Sequence, residues 1–307
     1  MISVLIPVKN GGADIVRCLE AVRRQRIDEE FEVVVVDSGS TDGTPERARR
    51  LGAILHEIPP EEYSHGATRN LLRELARGEA LVYISDDTLP VADDWLATLV
   101  AALRSGPDVA GAYGRQIAHP DALPSEQYYL EFLYGPEPRV QRAGQQEELT
   151  LETTMFSNAN AAYHREALDA FPFADDLRWA EDQDFVRRAL FAGRTVVYEP
   201  RAAVLHSHPY TIRTAFNRFF DSGLGARRTY LAGGPPARRA LTSSLRRYAI
   251  GELRWLWDEG HAAQIPYAVV YELAKLAGMQ LGIHGDLIPQ RVKARLGLAT
   301  HPHGRRG

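Results

Sequence analysis

Over residues 1–117, short apolar runs alternate with amphipathic stretches. That rhythm belongs to βαβ units of a parallel sheet. It predicts strands at 2–8, 31–37, 53–57, 80–85 and 109–117. Helices are predicted between them at 13–26, 45–51, 68–77 and 93–103. The expected fold class is α/β, a Rossmann-like and mostly parallel sheet flanked by helices. Residues 118–155 break the rhythm: they are polar, rich in Pro, Glu and Gln, and read as one long functional or mobile loop. Beyond them, 157–165 is strand-like, 182–192 is helical, and 194–198 and 202–206 are two short strands. From Pro209 the pattern is helical, interrupted at Gly233-Gly234-Pro235-Pro236. The expected organisation is therefore a domain at 1–208 and a helical appendage at 209–307.

Bulk properties narrow the classes. The chain has 307 residues, 45% hydrophobic and 25% charged, as a globular protein does. Its single cysteine, Cys18, falls on an apolar helix face and permits no internal disulfide, which suits a reducing compartment. The N-terminus enters a strand at once, with no basic segment or small-residue cleavage site, so a cytoplasmic location is expected. The most apolar helical stretch, 265–283, carries Glu272 and Lys275 at its middle, which argues against a membrane span. Charge is divided unevenly. Residues 1–208 hold 21 Lys and Arg against 34 Asp and Glu, a balance of −13, whereas residues 209–307 hold 15 against 6, a balance of +9. A basic tail on an acidic body fits peripheral contact with an anionic membrane face better than nucleic acid, for which no motif is present. Arg238, Arg239, Arg246, Arg247 and Arg254 alternate there with Leu241, Leu245, Leu253 and Trp257 at helical spacing. A solvated helical pair or an oligomer interface is the competing reading.

Four separated motifs carry the candidate chemistry. The first predicted strand ends in Pro7-Val8-Lys9-Asn10-Gly11-Gly12, and the second in Asp37-Ser38-Gly39-Ser40-Thr41-Asp42-Gly43-Thr44. Ligands of open α/β sheets bind beyond such carboxyl ends. A carboxylate there can meet a base N–H, and hydroxyls or backbone N–H groups can meet a ribose. No G-x-G-x-x-G or Walker motif is present, which argues against a dinucleotide or NTPase site. The alternative is a turn in which Asp37 and Asp42 cap the next helix. His65-Gly66-Ala67-Thr68-Arg69-Asn70 opens a helix, so its N–H groups and Arg69 can face an anion. Here the alternative is Thr68 as an N-cap with Arg69 solvated.

Ser85-Asp86-Asp87 ends a buried strand. Two adjacent acids there are costly unless a positive group neutralises them, and a divalent cation does so. An exposed turn closed by Thr88-Leu89-Pro90 is the plainer reading. Trp179-Ala180-Glu181-Asp182 opens a helix with Phe185, Val186 and Leu190 turned inward. A carboxylate at that start can serve as a general base, or simply as an N-terminal cap. His206-Ser207-His208 ends a strand, and alternate residues share a side, so both imidazoles can face the cleft and one can join a metal held by Asp87; a structural histidine pair is the plainer reading.

Taken as a set, these motifs resemble the family-2 glycosyltransferases of GT-A fold, from Ile2 to about His208. A closer subset is similar to bacterial rhamnosyltransferases that build surface polysaccharides. It rests on Tyr63-Ser64-His65-Gly66-Ala67-Thr68-Arg69-Asn70, Gly114-Arg115-Gln116, Phe156-Ser157-Asn158-Ala159, His206-Ser207-His208-Pro209-Tyr210 and Phe219-Phe220-Asp221-Ser222-Gly223. Leu281-Gly282 and Leu287-Ile288-Pro289 of the tail add to it.

The resemblance implies a nucleotide-binding half at 1–117 and an acceptor-facing catalytic half at 118–208. It implies donor contacts from Pro7, Val8, Asn10, Asp37, Ser38, Ser40, Asp42, Asp86 and Asn158, with Arg69 near the diphosphate. Asp87 is the implied ligand of magnesium or manganese, with His206 and His208 beside it. The family's metal motif is Asp-any-Asp; here Ser85 takes the first place and only Asp87 matches the last acid. Asp182 matches the catalytic base, with Glu181 as its neighbour. The implied donor is a nucleotide-diphosphate sugar (dTDP- or UDP-linked, with dTDP-rhamnose foremost). The implied acceptor is a glycan or lipid-linked hydroxyl, and the reaction inverts the anomeric centre. Three rivals share parts of this equipment: a sugar-nucleotide nucleotidyltransferase, a polyprenyl-phosphate sugar transferase and a non-catalytic nucleotide-sugar-binding module.

Overall fold

The computed structural model describes residues 1–143, 150–175, 177, 180–226, 229, 231 and 235–297. Among the described residues nine strands form one sheet: β1 (Ile2–Val8), β2 (Phe31–Asp37), β3 (Ile54–Glu57), β4 (Ala80–Ile84), β5 (Leu89–Pro90), β6 (Val109–Ile117), β7 (Arg139–Gln141), β8 (Asn160–His164) and β9 (Thr195–Leu205). Their order is β3-β2-β1-β4-β8-β6-β9-β5, with β7 on the first half of β9. β1 to β4 run parallel, β8 runs antiparallel between β4 and β6, and β9 runs parallel to β6. Register brings Val8 opposite Asp37, Ile84 opposite Asn160 and Ile117 opposite Leu205. The ends of β1, β2, β4, β6 and β9 and the start of β8 thus line one edge, where such sheets bind ligands.

Alternation along the strands gives the sheet two buried faces. Leu5, Val34, Val36 and Tyr83 face α3 (His65–Leu75), α6 (Arg165–Ala170) and α7 (Glu181–Phe191). Val4, Ile6, Val33, Val35 and Val82 face α1 (Asp14–Arg23) and α4 (Trp95–Leu103). Cys18 is buried among the latter group, as expected. Trp95 is fully buried and donates its indole N–H to Asn160 Oδ1 at 2.9 Å, tying α4 to β8. α2 (Thr44–Arg50) opens with a proline in its first turn, a position where the missing N–H does no harm.

Three expectations are corrected. Residues 118–155 are not a bare loop: they contain α5 (Pro124–Leu133) and β7. The period of α5 is hidden because its inward side includes Ser125 and Glu126 as well as Leu130. The two short strands at 194–198 and 202–206 are one strand, β9, bent where its pairing partner changes from β7 to β5. The cap of α3 is Ser64, whose Oγ accepts from Ala67 N–H at 3.0 Å, so Thr68 lies inside the helix.

The C-terminal helices are α8 (Ile212–Ala226), α9 (Pro235–Asp258), α10 (Ile265–Ile283) and α11 (Gln290–Leu296). α8 and α10 pack with their backbones close. A Cβ on Gly223, Gly278 or Gly282 would stand 2.3, 2.2 or 2.1 Å from a backbone carbonyl of the facing helix. Lys275 of α10 is buried and binds Glu272 at 2.7 Å and Tyr248 Oη at 3.3 Å. Its ammonium also lies over the rings of Tyr129 from α5 and Phe219 from α8, at 4.3 and 4.8 Å. The appendage and α5 therefore share one buried cation. Among the described residues no helix is long and apolar enough to cross a membrane.

Candidate active site

The β1 and β2 ends are knitted by the residues expected there. Ser38 donates its N–H and its hydroxyl to Val8 O, at 3.0 and 3.2 Å. Asn10 has a left-handed backbone (φ 51°), donates its N–H to Ser40 Oγ at 2.7 Å and accepts from Thr41 N–H at 2.9 Å. Asp42 accepts from Gly12 N–H at 2.9 Å and from Thr44 N–H and Oγ1 at 3.0 and 2.6 Å, so it braces both loops just before α2, whose N-cap position is Gly43. Pro7, paired with Val36, completes this strand end. Asp37 differs from its neighbours. Its Oδ1 accepts from Gly39 and Ser40 N–H, whereas Oδ2 is buried with no partner among the described residues. A buried acceptor without a donor is costly, and one at a ligand-binding edge is suited to a base N–H.

Asp86 and Asp87 follow β4. Gly11 leaves room for Asp86: a Cβ there would stand 3.1 Å from Asp86 Oδ2. Burial, and then the Asp87 charge, push the Asp86 carboxyl well above its ordinary range. Asp87 turns the other way. His206 Nε2 lies 3.6 Å from Asp87 Oδ1, and His208 Nδ1 lies 3.6 Å from Asp87 Oδ2. Both histidines sit just past β9, yet among the described residues these three groups offer ligand atoms within 4.8 Å of one another. Metal–ligand bonds of ~2.1 Å set neighbouring ligand atoms roughly 3–4 Å apart, so the cluster fits one divalent cation after a small contraction. Burial lowers His206, and burial with His206 beside it holds His208 down to about 4, so both rings are neutral at pH 7. Gln116 Oε1 lies 2.7 Å from His206 Nδ1, and Gln116 Nε2 donates to Tyr134 Oη at 2.7 Å. The amide oxygen accepts from Nδ1–H, leaving the His206 Nε2 lone pair toward Asp87.

The third group gathers around α7. Ala180, just before the helix, has φ 68°. Among the described residues, Ala180 and Asn10 are the non-glycine residues with positive φ, and both border the site. Glu181 is buried against Arg69, Oε1 to Nη1 at 2.9 Å, and accepts from Asn158 Nδ2 at 3.0 Å. Asn158 Oδ1 accepts from Tyr163 Oη at 2.6 Å, and its N–H donates to Asp182 Oδ2 at 3.2 Å. Arg69 also contacts His65 Nδ1 at 3.2 Å, and that imidazole is held down to about 4, chiefly by burial.

The two adjacent acids then diverge. Burial would raise Glu181, but Arg69, then His65 and the hydrogen bonds outweigh it, so its carboxyl is held low. Asp182 is pushed up to about 7, by burial first and the Glu181 charge second. A pair with opposed shifts is a recurring acid–base arrangement.

Every residue expected from the sequence thus lies along this edge, but in different company. Asn158 and Arg69 were expected on a donor; their side chains instead meet Glu181. Trp179, Gly233 and Gly234 lie outside the described residues. His65, Tyr163 and Gln116 were not singled out as site residues. His65 had a local signal, four positions before Arg69 on one helix, and Gln116 lay in the Gly114-Arg115-Gln116 motif, whereas Tyr163 had none.

Comparison with known proteins bears on the family and the fold. The family model for glycosyl transferase family 2 matches residues 3–171. The O-antigen chain rhamnosyltransferase RfbN of Salmonella typhimurium is 31% identical over 296 residues, covering 94% of this chain and 91% of the relative. The O-antigen chain rhamnosyltransferase WbaN of Salmonella anatum is 30% identical over 295 residues, covering 94% and 90%. Among solved structures, the mannosyltransferase PcManGT of Pyrobaculum calidifontis, in complex with GDP-Man and Mn²⁺, superposes with a TM-score of 0.61. It is 20% identical over 94% of this chain and 87% of that one. S. aureus TarS 1-349 superposes at 0.52 with 16% identity, over 93% and 91%. At those identities the two structures speak for the GT-A fold.

Proposed function

The chain belongs to glycosyl transferase family 2, and from that premise we propose that it transfers L-rhamnose from dTDP-rhamnose to a hydroxyl of a glycan or lipid-linked acceptor, with inversion. The sugar is supported by likeness to two rhamnosyltransferases along 94% of the chain. The mechanism is carried by one observation, the divergent acids at the start of α7. Asp182 is the general base, able to take a proton near neutral pH. Glu181, tied to Arg69, stays anionic and keeps Asp182 basic. The acceptor oxygen attacks the anomeric carbon, the bond to the diphosphate oxygen breaks with its electron pair, and the acceptor proton passes to Asp182. One displacement with one base needs no covalent nucleophile.

Asp37 Oδ2 accepts from the nucleobase, and Pro7, Val8, Asn10, Ser38, Ser40, Asp42 and Asp86 shape the rest of the donor edge. Asp87, His206 and His208 would hold a divalent ion, which when bound offsets charge growing on the diphosphate. Two imidazoles beside one carboxylate suit manganese better than magnesium, which prefers oxygen ligands.

In this reading residues 1–117 hold the donor, residues 118–208 hold the base and face the acceptor, and residues 209–307 form an appendage that can meet a membrane. The outer face of α9 carries Arg246, Arg254, Leu253 and Trp257, the last 70% exposed, while Leu241 turns inward. On α10, Val270 and Leu273 are also exposed. Such faces support peripheral contact with the anionic inner face of a membrane, where a lipid-linked acceptor would lie.

A donor panel with Mn²⁺ tests the reading. Release of dTDP from dTDP-rhamnose, with none from UDP-glucose, UDP-GlcNAc or GDP-mannose, is expected. Release from another donor alone would overturn the sugar. Sedimentation with phosphatidylglycerol vesicles, but not with neutral ones, is the expected membrane result; equal sedimentation would remove that partner.

A further inference from the structure

Tyr163 takes no part in the reaction as derived above, yet its hydroxyl ends inside the base network. It sits mid-sheet on β8, opposite Leu81 of β4 and Gly111 of β6. Its side chain is fully buried. The ring is enclosed by Tyr83, Phe156, Phe173 and Phe185, with centroids 5.6, 5.3, 5.6 and 4.8 Å away. Strand pairing on both sides and four aromatic neighbours fix where the hydroxyl lies. That hydroxyl donates to Asn158 Oδ1 at 2.6 Å. Asn158 is itself buried, two residues before β8, and bonds both acids of α7 at once. Its Nδ2 donates to Glu181 Oε1 at 3.0 Å, and its backbone N–H donates to Asp182 Oδ2 at 3.2 Å.

A primary amide has one oxygen and one nitrogen to place. Burial keeps the Tyr163 hydroxyl protonated well above neutral pH, so it comes to Asn158 as a donor. Glu181, anionic beside Arg69, comes as an acceptor. The two neighbours therefore demand the same orientation of the amide. Turned round, its oxygen would face the Glu181 carboxylate and the tyrosine proton would lose its acceptor, both costly out of water. The other titratable groups whose fields reach the two acids are Arg69 and His65 on α3, Tyr63 just before it and Tyr134 just after α5.

We propose that Tyr163 is a positioning residue for the catalytic base: by fixing the Asn158 amide, it holds Glu181 and one oxygen of Asp182 in place. The assignment rests on the reading of Asp182 as the base. Tyr163 acts through Asn158 and not on a reacting atom. Without the hydroxyl, the amide is free to turn away. Glu181 then loses a donor and the bond to Asp182 Oδ2 slackens, and both changes make a negative charge on Asp182 harder to hold.

The test is a carbon NMR titration of the protein isotope-labelled at the aspartate side-chain carboxyl, which needs no substrate. The Asp182 signal is the one that Asp182→Asn removes. In the wild type it should titrate at about 7. In Tyr163→Phe its midpoint should rise by roughly half to one pH unit, while the other aspartate signals stay in place and show that the variant is folded. Asn158→Ala should raise it at least as far, and adding Tyr163→Phe to that variant should change little more. An Asp182 midpoint that stays put in Tyr163→Phe would overturn the proposal. So would additive shifts in the double variant, since the hydroxyl would then act on Asp182 without the amide. If Tyr163→Phe does not fold, Asn158→Ala decides, and an unmoved midpoint there overturns the proposal equally. A wild-type Asp182 that titrates at the ordinary aspartate value would refute the divergent acid pair first, and this assignment with it.

Discussion

On the donor side of the cleft, the loops after β1 and β2 are held by backbone N–H groups that meet short side chains: Asp42 on Gly12 and Thr44, Ser40 on Asn10, Asp37 on Gly39 and Ser40. On the base side, the order comes from charges out of water: Arg69 on Glu181, Glu181 beside Asp182, and Asn158 between them. The donor side is a shape, complete but for one acceptor oxygen. The base side is an electrostatic balance in which each member sets the proton affinity of the next. Damage to a shape should be local, and damage to a balance should spread.

Asp182→Asn gives the largest effect. A kcat lower by roughly 10²–10⁴-fold is expected, with nucleotide affinity nearly unchanged. In the wild type, log kcat should rise with pH and level off above about 7, as Asp182 loses its proton. The same residue bears on stability. Its folded pKa is raised from 3.8 to about 7, so the folded state holds an extra proton between those values. Stability therefore falls as pH rises through that window. Asp182→Asn should remove that fall and raise Tm at pH 8 by a few degrees. A thermal melt in which the variant is no more stable there would count against the buried-carboxylate account.

Glu181→Gln comes next. It strands Arg69 in the interior, so a loss of about 3–5 kcal/mol is expected in urea unfolding. It also takes away a negative neighbour, so the pH–rate profile should move to lower pH. Adding Arg69→Met should restore part of the stability, because an apolar side chain tolerates burial there. A profile that stays in place would show the two acids to be uncoupled.

On the donor side the effects should shrink. Asp37→Asn keeps an oxygen for the Gly39 and Ser40 N–H groups but replaces the unpartnered acceptor, so nucleotide binding should weaken roughly tenfold with little change in Tm. Asp42→Ala should cost about 1 kcal/mol of stability, the net worth of a hydrogen bond that ties two loops, and alter kcat only a few-fold. If Asp42→Ala proved as damaging to turnover as Glu181→Gln, the contrast between the two sides would fail.

Legibility followed the same division. β1, β2 and β6 were read to the residue, because runs such as Val33-Val34-Val35-Val36 have no alternative to burial on both faces. The loops after β1 and β2 were legible as turns because glycine, serine and aspartate at a strand end favour one. α5 was missed because a helix that buries Ser125 and Glu126 shows no hydrophobic period. The partners of Arg69 and His206 could not be read. Glu181 lies far along the chain from Arg69 and Gln116 from His206, and no local pattern encodes such pairings.

Lys275 bears on how such enzymes exchange parts. Its ammonium is enclosed jointly by Tyr129 of α5 and by Phe219, Tyr248 and Tyr271 of the C-terminal helices. A chimera that imports a foreign tail from residue 209 onward would set an unmatched surface against Tyr129. The transferable unit is instead α5 together with the tail. Recombination between relatives would be fruitful where a single crossover falls before Pro124, so that α5, the strands after it and the tail move together and the lysine travels with all of its rings.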